Sequence, residues 1–143
     1  MKKSKIRIIS FLVALACMMS VSAYASDIAP YASDQIGAYD GDAIAVGNGP
    51  LAIEFSIEGT GKMSSLGAQR IRVYEDYYSD GWALVKTFKQ TDEGMATSGK
   101  VSYGNTIYYD GISGMKYKIE ITVFATDSKG VTDSRTITCY VTA

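Results

Sequence analysis

Apolar residues fall at every second position over three long stretches of the chain, the period of a strand with one dry and one wet face. Leu51, Ile53, Phe55 and Ile57 alternate with Ala52, Glu54, Ser56 and Glu58. Tyr117, Ile119, Ile121, Val123 and Ala125 alternate with Lys118, Glu120, Thr122 and Phe124. Ile137, Cys139 and Val141 stand against Thr136, Thr138, Tyr140 and Thr142. Shorter stretches around Ile71 and Val73, from Trp82 to Phe88 and from Val101 to Tyr109 predict three more strands, and Ala43 to Val46 a seventh.

Turn-forming residues punctuate these stretches at strand spacing: Gly47-Asn48-Gly49-Pro50, Gly59-Thr60-Gly61, Ser79-Asp80-Gly81, Asp110-Gly111 and Asp127-Ser128-Lys129-Gly130. The one candidate for a helix, Met63 to Gln69, is interrupted by Gly67. Seven short strands with alternating faces predict an all-β fold, a seven-stranded antiparallel sandwich of the immunoglobulin or fibronectin type III kind.

The N-terminus follows a different pattern. Lys2, Lys3, Lys5 and Arg7 precede an almost uncharged apolar run from Ile8 to Val21, and Ala23-Tyr24-Ala25 places small residues where a signal peptidase reads. The expected cut lies between Ala25 and Ser26. At about 14 residues the apolar run falls short of the roughly 20 that span a bilayer, so no stable membrane insertion is expected after cleavage. A competing reading takes Ala14-Leu15-Ala16-Cys17 as a lipoprotein box, against which the bulk of Leu15 argues. The chain thus divides into a signal peptide (1–25), an extended leader (26–38) and a sandwich domain (39–143), with a secreted destination; an echo, Ala25-Ser26-Asp27-Ile28 then Ala32-Ser33-Asp34-Gln35, runs across the first boundary.

Composition narrows the function. All 15 acidic residues but only ten of the 14 basic ones follow Ala25, an acidic balance that argues against nucleic acid as a partner. The chain contains no histidine, which removes Ser-His-Asp and Cys-His catalysis and imidazole metal ligation. Cys139 is the one cysteine after the cut, so no disulfide within the exported chain is expected; on a strand it reads as a small buried hydrophobe. No cofactor motif is present.

The run from Tyr117 to Gly130, in which a tyrosine opens an alternating strand that closes at Ala125-Thr126-Asp127 and a glycine turn, resembles the end of a fibronectin type III domain. The strand is two residues longer than in that family, and the Leu51 strand lacks the tryptophan usual there. Most of the chain from Ser26 to Ala143 is similar to small secreted proteins of unknown function from Gram-positive gut bacteria. Ala29-Pro30-Tyr31-Ala32-Ser33-Asp34, Gly47-Asn48-Gly49, Gly59-Thr60-Gly61, Leu66-Gly67-Ala68, Ile71-Arg72-Val73-Tyr74-Glu75 and Phe124-Ala125-Thr126-Asp127-Ser128 carry that likeness. It implies the compartment and the fold and brings no activity with it.

Among candidate sites, Tyr74, Tyr77, Tyr78 and Trp82 crowd one strand-turn-strand, and exposed aromatic platforms stack on sugar rings and anchor protein contacts. Tyrosine is also a favoured strand residue and Trp82 would serve equally at a core edge. The acidic turn Glu75 to Asp80 invites calcium, but Tyr78 and Thr87 stand where an EF-hand loop needs ligands, so a solvated hairpin and no metal are expected. Arg70, Arg72, Lys116 and Lys118 form a basic stripe that reads as strand-face cations paired with acids opposite. The expectation is a secreted, non-enzymatic domain that contacts a surface protein or a glycan. Self-association through strand edges is the alternative. A compact glycosidase would need two carboxylates about 5 to 10 Å apart in a concave site.

Overall fold

The computed structural model describes residues 34–78 and 81–143. The expected signal peptide with its Ala23, Ala25 and Ser26 cleavage residues, most of the leader, and Ser79 and Asp80 of the acidic turn lie outside the described residues. Eight strands follow in order: β1 (Ile36–Ala45), β2 (Pro50–Gly59), β3 (Ser65–Asp76), β4 (Trp82–Lys89), β5 (Ala96–Thr97), β6 (Ser102–Asp110), β7 (Lys116–Thr126) and β8 (Thr132–Thr142). They form two antiparallel sheets. One has the order β1-β2-β6; the other runs β4-β3-β7-β8, with β5 pairing β3 beyond β4. The arrangement is an all-β, two-sheet sandwich.

The seven predicted strands correspond to β1 to β4 and β6 to β8, and the two-residue β5 makes eight, which corrects the count. Two further corrections concern glycine. β1 starts at Ile36 rather than Ala43: Asp40, Gly41 and Asp42 have little strand propensity and are held extended by pairing along β2, with an irregularity at Gly37. A Cβ on Gly41 would stand 3.0 Å from Ile137 Cδ1 and 3.1 Å from Ile121 Cδ1, so the bare backbone lets β1 lie close on the other sheet. β3 in turn starts at Ser65, ahead of the expected Ile71, inside the Met63 to Gln69 stretch for which no helix was expected. There Gly67 has φ +149°, and a Cβ would fall 2.3 Å from the Met95 carbonyl oxygen, so only glycine admits the β5 backbone beside β3.

The core forms where the inner faces meet. Leu51, Ile53, Phe55 and Ile57 of β2 join Leu66, Ile71 and Val73 of β3 and Ile119, Ile121 and Val123 of β7, with Met63 and Met95 among them. Each such side chain contributes about 1.5–3 kcal/mol on burial. Phe88, Tyr103, Ile107, Ile137, Cys139 and Val141, from strands nearer the edges, pack against this centre half-buried. Phe124, in phase with the polar positions of β7, is buried as well; its ladder neighbours Gly67 and Ser134 are small.

One end of the sandwich is tied by a buried tyrosine. Tyr117, fully buried at the start of β7, accepts a hydrogen bond from the Ile112 backbone N–H (2.8 Å) and donates to Glu75 Oε1 (3.1 Å). Tyr109 packs edge-on against it at 5.7 Å and points its hydroxyl at the same carboxylate oxygen, 3.5 Å away. Burial, then the Glu75 charge, pushes the Tyr109 phenol up to about 12; burial likewise raises Tyr117.

Candidate functional site: an aromatic face on the larger sheet

The outer face of the β4-β3-β7-β8 sheet carries the surface that the aromatic cluster pointed to. Strand register aligns Leu84, Tyr74, Lys118 and Tyr140 in one row across four strands. A bulge between Val73 and Tyr74 gives β4 an extra residue, so Leu84 and Val85 are both exposed. Trp82, opposite Asp76, starts β4 and leans across the sheet until its ring stands 5.7 Å from that of Tyr140, tilted by 50°. Lys118 sits against the Tyr74 and Trp82 rings. Its ammonium lies 4.2 Å from the Tyr74 ring centroid and 6.0 Å from that of Trp82, and its side chain is only 19% exposed in the middle of an open face.

Glu120 anchors this arrangement. It accepts from the Tyr74 hydroxyl (2.9 Å) and pairs with Lys118 (3.3 Å) and Arg72 (3.6 Å). Partial burial opposes its ionisation, but the Tyr74 and Lys118 hydrogen bonds and the Lys118 and Arg72 charges outweigh it and hold the carboxyl below its usual range. The basic stripe therefore lies on one face, and two of its members pair with Glu120, Arg72 across the ladder and Lys118 from along the same strand. The same contacts fix the aromatic rings, because Tyr74 is held at its hydroxyl by Glu120 and from its face by Lys118.

The four predicted binding residues do not form one platform. Tyr74 and Trp82 reach the sheet face, at 38% exposure for Trp82, whereas Tyr77 and Tyr78 stay in the turn. Tyr77 donates its N–H to the Gly81 carbonyl, and Tyr78 holds φ +40°, a costly backbone for a bulky residue, with its side chain 96% exposed. Tyr78 instead borders a cleft of about 570 Å³ with Ile112 and Met115. A smaller cleft of about 290 Å³ lies between Trp82 and Tyr140, and Asp76 and Lys116 line both. Leu84 and Tyr140, 54% and 65% exposed, complete the platform and were not among the predicted residues. The alternation on β8 already set Tyr140 on the wet face; its partners across the sheet required the register.

At the described start of the acidic turn the carboxylates diverge. Glu75 turns into the sandwich toward Tyr117 and Tyr109, away from Asp76. Among the described residues no three acidic or thiol side chains gather around one point. Cys139 is half-buried against the core, its Sγ 3.8 Å from the Ile119 carbonyl oxygen; burial, then the Asp42 charge, pushes its thiol up to about 11. A thiol so shifted carries little thiolate at neutral pH and is a poor nucleophile. What the face offers is flat ring area over a neutralised charge cluster, suited to stacking and close contact.

No family model matches the chain, and no curated protein does. Among solved structures the chain is similar to the sporulation control protein Spo0M from Bacillus subtilis, with a TM-score of 0.42 and 10% identity over 73% of this chain. The match covers 49% of the Spo0M chain, about half of its length.

Proposed function

We propose that this chain is an exported, non-enzymatic sandwich of the immunoglobulin or fibronectin type III kind that works by surface contact with a cell-surface or host protein or a glycan. The contact face is the outer side of the β4-β3-β7-β8 sheet. The carrying observation is the platform of Tyr74, Trp82, Leu84 and Tyr140, which brings large apolar side chains from three strands to one exposed face. Monomeric proteins rarely leave such a patch uncovered without a contact to make. Export is supported by the basic, apolar and small-residue order of residues 1–25. The fold type is supported by the strand order, in which β3, β7 and β8 with β4 beside them take the places of C, F, G and C′. It is supported too by Tyr117, whose hydroxyl meets backbone five residues upstream as in a tyrosine corner.

The test uses the chain in the form an exporting cell delivers, with its N-terminus read by mass spectrometry, on glycan arrays and on cell-surface fractions. Trp82→Ala and Tyr140→Ala are expected to weaken retention about tenfold or more each, in the range of interface anchors, while the circular dichroism spectrum stays unchanged. Binding that survives both substitutions would assign the contact elsewhere. Turnover of glycosides by the purified chain would overturn the non-enzymatic reading.

A further inference from the structure

The two sheets divide the charge between them. β1, β2 and β6 contain no lysine or arginine, and their five acids, Asp40, Asp42, Glu54, Glu58 and Asp110, all fall in phase on the outer face. The outer face of the other sheet carries Arg70, Arg72, Lys89, Lys116 and Lys118 against Asp76 and Glu120. Each face also exposes large apolar side chains. On the smaller sheet Ile44, Ala52 and Tyr108 form a row beside Asp42, Glu54 and Thr106, with Ile44 and Tyr108 both exposed. On the larger sheet the row of Leu84, Tyr74, Lys118 and Tyr140 lies beside Thr87, Arg72, Glu120 and Thr138. The acidic outer face of the smaller sheet can therefore meet a face on which five cations stand against two acids.

We propose that the partner of the aromatic face is a second copy of this chain, docked through the acidic outer face of its three-stranded sheet. This deepens the reading of the aromatic face as a contact surface and rests on it. The two surfaces differ, so the contact is head-to-tail; it leaves an acidic face free on one end and a basic face on the other, and copies add in a row rather than closing as a twofold dimer. Three strands at about 4.8 Å spacing and about 30 Å of length bury roughly 400 Å² per partner, about half the area of a standard stable interface, so the association is weak and transient and depends on charge. It grows with concentration and fades with salt.

Sedimentation of the exported chain at about 20 mM and about 500 mM salt tests this, the two conditions lying on either side of effective screening. Species larger than dimers are expected at low salt and high protein concentration, and monomers at high salt. Glu54→Lys should spoil the acidic face and Arg72→Glu the basic one, each leaving a monomer. Mixed in equal amounts, the two variants each keep one good face and should form dimers that grow no further. Lys89→Glu, outside the Glu120 cluster, repeats the basic-face arm should Arg72→Glu melt early. A monomer at low salt and millimolar concentration overturns the proposal, as does a dimer indifferent to Glu54→Lys. If such a monomer still binds glycans or cell-surface fractions through Trp82 and Tyr140, the self-docking is lost and the contact surface stands.

Discussion

Tyr117 and Glu75 show how much of this fold rests on single polar atoms. The Tyr117 hydroxyl serves two partners, the Ile112 N–H and the Glu75 carboxylate, in a place closed to water. Tyr117→Phe keeps the ring but leaves the Ile112 N–H without its acceptor and Glu75 with only the longer Tyr109 contact, so a loss of about 1–3 kcal/mol is expected in denaturant unfolding. Alkali should act at the same point. A phenol whose folded pKa lies above the ordinary value of about 10 binds its proton more tightly in the native state, so its contribution is intact below pH 10 and declines as pH rises toward the folded value. With Tyr109 at about 12 and Tyr117 raised, stability should fall between pH 10 and 12. Ultraviolet titration should show two phenols ionising only as the chain unfolds; their ionisation in step with the exposed tyrosines, without unfolding, would refute this. Glu120 has the opposite sign. Its lowered carboxyl adds stability above about pH 4.5 that disappears as pH falls through the folded value, and Glu120→Gln should flatten the acid limb of the unfolding midpoint.

At the scale of the strand, what was legible in the sequence follows from which forces act locally. β2, β7 and β8 announce themselves because burial on one face imposes a period of two, and the turn residues bound them. The first half of β1 and the start of β3 are set by neighbours instead: glycine and aspartate give no strand signal, and only pairing with β2, or the close passage of β5, makes them extended. Gly67→Ala is therefore expected to cost about 2 kcal/mol or more, since the added Cβ collides with the Met95 carbonyl and alanine disfavours the positive φ. A thermal shift within a degree or two of the parent would show that β5 moves aside. The candidate site divides in the same way. Proximity in sequence suggested Tyr74, Tyr77, Tyr78 and Trp82, yet a strand turns alternate residues to opposite faces and a hairpin tip leaves the sheet altogether. The surface that forms takes Tyr74 and Trp82 from that cluster and adds Tyr140 from 58 positions beyond Trp82, a partnership carried by the β3-β7-β8 register.

For the molecule as a whole, sorting charge between sheets has a cost that the folded monomer bears. Asp42 stands directly opposite Glu54, with Asp40 and Glu58 on the same face, and among the described residues no ion pair involves any of the four. Like charges facing each other across an antiparallel ladder oppose pairing by roughly 0.2–1 kcal/mol. Two consequences follow for the dilute chain, where copies do not meet. Neutralising one member of the facing pair, as Asp42→Asn or Glu54→Gln, should raise stability by a few tenths of a kcal/mol to about 1 kcal/mol, although each removes a charged surface residue. Added salt should act the same way by screening the acidic face, raising the melting temperature of the parent more than that of Glu54→Gln. Calorimetry at a concentration too low for association separates this from any stabilisation through contacts between copies, which would grow with protein concentration. If salt lowers the melting point of the dilute parent, or Glu54→Gln destabilises it, the repulsion on this face is offset within the monomer, and the acids would be part of its own stability rather than a charge left over for a partner.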